Sequence, residues 1–191
     1  MDGEHVFLDA CVLVPPRLRG VLFDLSLAGR IMLHWSESVL DEFQRTLLED
    51  GVAHASVVSL RALMEGHWPE ACERDWEHLV GEMDNHPKDR HVLAAAVHAE
   101  VLTIVTLNLR DFPAEVCARW DVQIQHPDEF LCQLFREDPE STLAGIEAFA
   151  NRNRRPPLSV DDVLTSLHWP RRSEFRDLAK AWLQRTDPRA G

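Results

Sequence analysis

Long hydrophobic runs are missing from this 191-residue chain. Nowhere do about 18 apolar residues follow one another, so no transmembrane helix and no membrane partner are expected. The start, Met1-Asp2-Gly3-Glu4-His5, lacks the basic region and apolar stretch of a secretory signal, and a cytoplasmic location is expected. Cysteine is sparse. Cys11, Cys72, Cys117 and Cys132 are scattered without a CxxC pair, which argues against a zinc ribbon and a disulfide framework and leaves reduced, mostly buried thiols. With 8 Gly, 11 Pro and 45% hydrophobic residues the chain is neither collagen-like nor disordered. Its length corresponds to about one domain with a small appendage. Internal repeats, low-complexity tracts, a GxxxxGK[ST] phosphate loop and a GxSxG nucleophile elbow are all absent.

Positive charge is also in short supply. There are 20 Lys and Arg against 32 Asp and Glu, a net charge of −12, which disfavours a protein that coats nucleic acid electrostatically. The imbalance is local: residues 1–130 hold 10 basic and 23 acidic side chains, and residues 131–191 hold 10 and 9. The acidity of the first part suits excess surface charge, a cation site or a face for a basic partner.

What is present is an alternation of short apolar runs and helical stripes. Val6-Phe7-Leu8 predicts a buried strand ending at Asp9, and Pro15-Pro16 follow as a turn. Val21, Leu22, Leu25 and Ala28 predict a helix closed by Gly29, and Ile31-Met32-Leu33 predicts a second strand. Ser36 caps a helix over 37–49, with Val39, Leu40, Phe43 and Leu47 inward. Residues 53–84 show no strand-like alternation and predict two helices separated by Gly66-His67-Trp68-Pro69, within a helical insertion over 52–83. A helix from Asn85 to Glu100, a strand at Leu102–Thr106, a short helix at Ala114–Arg119 and a strand at Val122–Ile124 complete the pattern. This predicts an α/β fold with a small parallel sheet, whose ligands collect at the carboxyl ends of its strands. Beyond about residue 127 every apolar set fits a helix face, and the basic loop Asn151–Pro157 is a hinge.

Asp9 and Asp111 both follow apolar strands, so a parallel sheet brings both near one edge. Asp89 sits at the start of its helix, where the dipole favours a carboxylate. Converging carboxylates repel, and raised pKa values or a bound divalent cation relieve them. An all-oxygen site suits Mg²⁺ or Mn²⁺ and could support phosphodiester hydrolysis. Taken singly, acids at strand ends and helix starts are more often caps or solvated turn residues. The helical wheel does not favour Glu42 over Glu37 or Asp41. His86 and His91 match no recognised ligand spacing and read as surface or capping residues. Trp68, Trp76, Trp120, Trp169 and Trp182 read as core or interface anchors, because no aromatics cluster within a basic stretch. A dehalogenase-like phosphatase wants a second Asp where Cys11 stands, and a receiver domain wants a Lys that Thr106–Asp111 lacks.

Four segments in this order, Val6-Phe7-Leu8-Asp9, Ser36 to Glu42, Pro87-Lys88-Asp89-Arg90-His91-Val92-Leu93-Ala94-Ala95-Ala96 and Ile104 to Pro113, resemble a PIN domain, and the last two its VapC-like branch. The resemblance covers residues 4–130, less well over 52–83. It implies a three-layer α/β/α fold and a metal-dependent endoribonuclease. Asp9, Asp89, Asp111 and Glu42 would form the Mg²⁺ or Mn²⁺ site, with Thr106 and Asn108 supporting it by hydrogen bonds. Related proteins are often homodimeric toxins of toxin–antitoxin pairs, held by a small antitoxin protein. RNA is the implied substrate, and Arg152, Arg154 and Arg155, with Arg171 and Arg172, either steer its backbone or solvate a helical tail. The expected division is a nuclease domain over 1–130 and a helical extension over 131–191. The alternative functions are a catalytically silent PIN-like binding module and a nuclease acting on DNA flaps.

Overall fold

Parallel strands buried on both faces need near-continuous apolar runs, and Val6, Phe7, Leu8, Ile104 and Val105 are each fully buried. In the computed structural model, which describes residues 3–153, 156–167 and 173–186, these runs form the middle of a five-stranded sheet. The strands are β1 (Glu4–Leu8), β2 (Ile31–Ser36), β3 (Cys72–Glu73), β4 (Thr103–Val105) and β5 (Gln123–Gln125), in the order β3-β2-β1-β4-β5. The chain runs from the central strand outward on one side, then returns to build the other, so a topological switch point falls beside β1. Register does the rest. Phe7 pairs with Ile104 and Leu8 with Val105, so Asp9 and Thr106 leave the sheet side by side at its carboxyl edge. The α/β class, the small parallel sheet and the C-terminal helices expected from the sequence are all observed.

The helices are α1 (Ala10–Leu13), α2 (Pro16–Leu27), α3 (Glu37–Glu49), α4 (His54–His67), α5 (Arg90–His98) and α6 (Ala114–Cys117), followed by α7 (Pro127–Glu137), α8 (Pro139–Arg152), α9 (Val160–Ser166) and α10 (Glu174–Thr186). Helix α3 begins where expected because the Ser36 hydroxyl accepts the Val39 N–H, and it is followed at Gly51 by a φ of 82°. The segment after α4 departs from expectation. Instead of a second helix it forms a 3₁₀ turn at Pro69–Ala71, the strand β3 and a further 3₁₀ stretch at Glu77–Glu82. Trp68 and Pro69 stop α4, Asp75 takes a φ of 62°, and only Ala71, Trp76 and Met83 bury apolar side chains. No stripe supports a helix there, whereas β2 offers an edge on which Cys72 and Glu73 pair with Trp35 and Ser36.

Two compact units result. One, Glu4–Pro15 with Met32–His126, contains every residue that the resemblance assigns to the carboxylate site. The other joins Pro16–Ile31 to the described residues from 127 onward, so α2 shares a unit with α7–α10. Within it α2 packs on α8, and α10 starts against Asp128, whose carboxylate accepts from Ser173 Oγ at 2.5 Å and from Glu174 N–H at 2.8 Å.

Candidate active site

Asp9 N-caps α1 by backbone geometry, yet its side chain makes no capping bond. It is 2% exposed, and a buried carboxylate requires donors. Two converge on one oxygen: Thr106 Oγ1–H donates to Oδ2 at 2.6 Å and Cys11 Sγ–H donates to it at 3.1 Å. Both donors are themselves held. Asn108 N–H donates to Thr106 Oγ1 at 2.9 Å, and Leu107 N–H donates to Cys11 Sγ at 3.1 Å. Burial and the charge of Asp9 push the Cys11 thiol far above its ordinary range, so it keeps its proton for that bond. Among the described residues Oδ1 of Asp9 accepts no hydrogen bond, which leaves it able to bind a ligand.

Asp89 repeats the pattern: it N-caps α5 without a side-chain cap bond. Burial raises its carboxyl above the ordinary range, and the charges of Asp9, Asp111 and Glu42 raise it further, while His86 opposes them. Asp89 thus shares one electrostatic neighbourhood with the other three acids, whose like charges resist its ionisation. Backbone bonds lock the loops together. His86 N–H donates to Asp111 O at 3.0 Å, and Asp89 N–H donates to His86 O at 2.9 Å. His86, Asp89 and Asp111 each offer a ligand atom, all within 4.8 Å of one another. Glu42 comes from α3, with Oε2 3.8 Å from His91 Nε2. The His91 ring is held by its Nδ1–H, which donates to Lys88 O at 2.9 Å, and its buried Nε2 has no hydrogen-bond partner.

With that site in place, one family model and one curated relative bear on the chain. The family model for the VapC50 C-terminal domain matches residues 127–172. A curated protein of Mycobacterium tuberculosis, named "Putative ribonuclease VapC50", is 38% identical over 89 residues, or 47% of this chain. The likeness to VapC50 is confined to those matched segments. The chain spans about half, 53%, of that relative's length. No solved structure matches it.

The geometry of the site also sorts the residues that the sequence left open. Glu37 and Asp41 are both paired with Arg61, which further binds Glu65 at 2.7 Å, so these two acids tie α3 to α4. Glu42 is left facing the cluster. Thr106 acts on Asp9 through its hydroxyl, whereas Asn108 contributes its main-chain N–H and has an exposed side chain. Arg152 pairs with the buried Asp24 inside the helical unit; Arg154, Arg155, Arg171 and Arg172 lie outside the described residues. Sequence reasoning passed over Cys11 and His86. The position of Cys11, two residues beyond a strand-end Asp, was the available signal. His86 does accept a bond from Lys88 N–H, at 3.4 Å, as a capping residue would, but it also stands beside Asp89. Among the described residues no helix is long and apolar enough to cross a membrane.

Proposed function

We propose that this chain is a metal-dependent endoribonuclease that hydrolyses RNA phosphodiester bonds, and that it serves as the toxin of a type II toxin–antitoxin pair. The observation that carries the reading is the shared neighbourhood of Asp9, Asp89, Asp111 and Glu42, in which neither Asp9 nor Asp89 is spent on capping its helix. The name of the Mycobacterium tuberculosis relative supports a ribonuclease. A binding module has no need of such a cluster, so the silent-module alternative leaves it unexplained.

The oxygen-rich donor set fits Mg²⁺ or Mn²⁺, with Asp9, Asp89, Asp111 and Glu42 as the residues that would hold the ion. When bound, the ion supplies Lewis acidity toward the phosphodiester and acidifies water. Thr106 and Cys11 fix Oδ2 of Asp9 and so orient Oδ1. The Lys88 carbonyl holds the His91 ring against Glu42. An antitoxin, a second copy of the chain and a cytoplasmic setting complete the proposal. Purified protein is expected to cut a mixed cellular RNA pool with Mg²⁺ or Mn²⁺, to stop in EDTA, and to leave 5′-phosphate and 3′-hydroxyl ends. Cutting that continues in EDTA, or 2′,3′-cyclic phosphate ends, would contradict it.

A further inference from the structure

His86 stands where an oxygen-only site would have no use for it. Its Nδ1 lies 3.3 Å from Asp89 Oδ2, and both belong to the group whose ligand atoms fall within 4.8 Å of one another. Ligands of a small octahedral cation at about 2.1 Å stand about 3.0 Å apart when at right angles. The observed pair therefore needs only a small side-chain adjustment to share an ion. Main-chain bonds, not side-chain rotamers, set this frame, since the 3.0 Å bond from His86 N–H to Asp111 O spans two distant loops. The bond that competes for Nδ1, from Lys88 N–H, is long at 3.4 Å. The ring is half exposed, with its side chain 46% accessible, so it can turn without disturbing the core.

We propose that His86 is a direct ligand of the cation in the carboxylate site, and that this nitrogen makes the site prefer Mn²⁺ to Mg²⁺. The proposal rests on the metal-dependent reading above. Mg²⁺ takes oxygen ligands and holds its waters, so an imidazole adds little to its binding, whereas a first-row transition ion gains more from a nitrogen donor.

The test uses the full chain with Mn²⁺ as the probe and reads the ion directly. Pulsed electron paramagnetic resonance of bound Mn²⁺ should show ¹⁴N modulation in wild type and in His91→Gln, and none in His86→Ala. His86→Ala should weaken Mn²⁺ by about tenfold or more, while Mg²⁺, measured by competition, changes by less than about threefold. Modulation that survives in His86→Ala, or that is absent from wild type while Mn²⁺ still binds, overturns the His86 assignment. Mn²⁺ binding abolished by Asp89→Asn would then leave the carboxylate site standing. A wild-type chain that binds no Mn²⁺ overturns both.

Discussion

Asp9 and Asp24 are each 2% exposed, but they are satisfied in different ways. Asp9 receives neutral donors from Thr106 and Cys11, which orient it without cancelling its charge. Asp24 is met by the guanidinium of Arg152. Burial lifts the Asp24 carboxyl above its ordinary range and Arg152 draws it back. A carboxyl raised in the folded chain favours that chain while protonated, so ionising it costs stability as pH climbs through the folded pKa. Arg152→Ala leaves the charge buried and alone. We expect it to cost about 1–2 kcal/mol at pH 8 and less at pH 4, toward the protonated form that burial of Asp24 favours. Asp24→Asn should flatten this pH dependence, because Arg152, 54% exposed, simply returns to water. Urea denaturation at both pH values decides; an Arg152→Ala deficit equal at pH 4 and pH 8 contradicts the assignment. None of this was legible in the sequence, where Arg152 stood out only as part of a basic loop. Asp9 and Asp89 were legible, because a strand end and a helix start can be read from periodicity. Glu42 was not legible from periodicity and came only from the resemblance; in the structure the capture of Glu37 and Asp41 by Arg61 sets it apart.

At the scale of elements, legibility followed local signals. Helix α3 matches its expected 37–49 span because Ser36 caps its start and Gly51 follows its end. Strand β3 has two residues and no pattern of its own; its existence depends on the edge that β2 presents. Helix α5 starts at Arg90, later than expected, because residues 85–89 are drawn into a turn by the bond from His86 to Asp111. Close packing of α2 on α8 was equally hidden. It depends on Gly20, where an added Cβ would lie 2.0 Å from a ring carbon of Phe149, and on Gly145, where it would lie 2.8 Å from Leu25 Cδ2. Gly20→Leu is therefore expected to destabilise the helical unit by about 1–3 kcal/mol through overpacking, despite the better helix propensity of Leu. Thermal melting checks this, and a variant as stable as wild type would show that Phe149 can yield.

For the whole molecule, the net charge of −12 and the acid cluster raise one physical problem. On the proposed function an RNA backbone would be repelled by both, and a cation held at the cluster would supply the attraction that few lysines and arginines can. The cluster is also a stability liability, since burial and three neighbouring acids all oppose the ionisation of Asp89. Removing that charge should leave the metal-free fold at least as stable while removing function. This separates loss of chemistry from loss of folding. The most direct test is RNA cleavage in Mn²⁺ by wild type, Asp9→Asn and Asp89→Asn, each with folding verified by circular dichroism and melting temperature. We predict metal-dependent cutting by wild type alone, with Asp89→Asn melting no lower than wild type in EDTA. Folded Asp9→Asn and Asp89→Asn proteins that cut RNA at the wild-type rate would contradict the carboxylate cluster as the active centre.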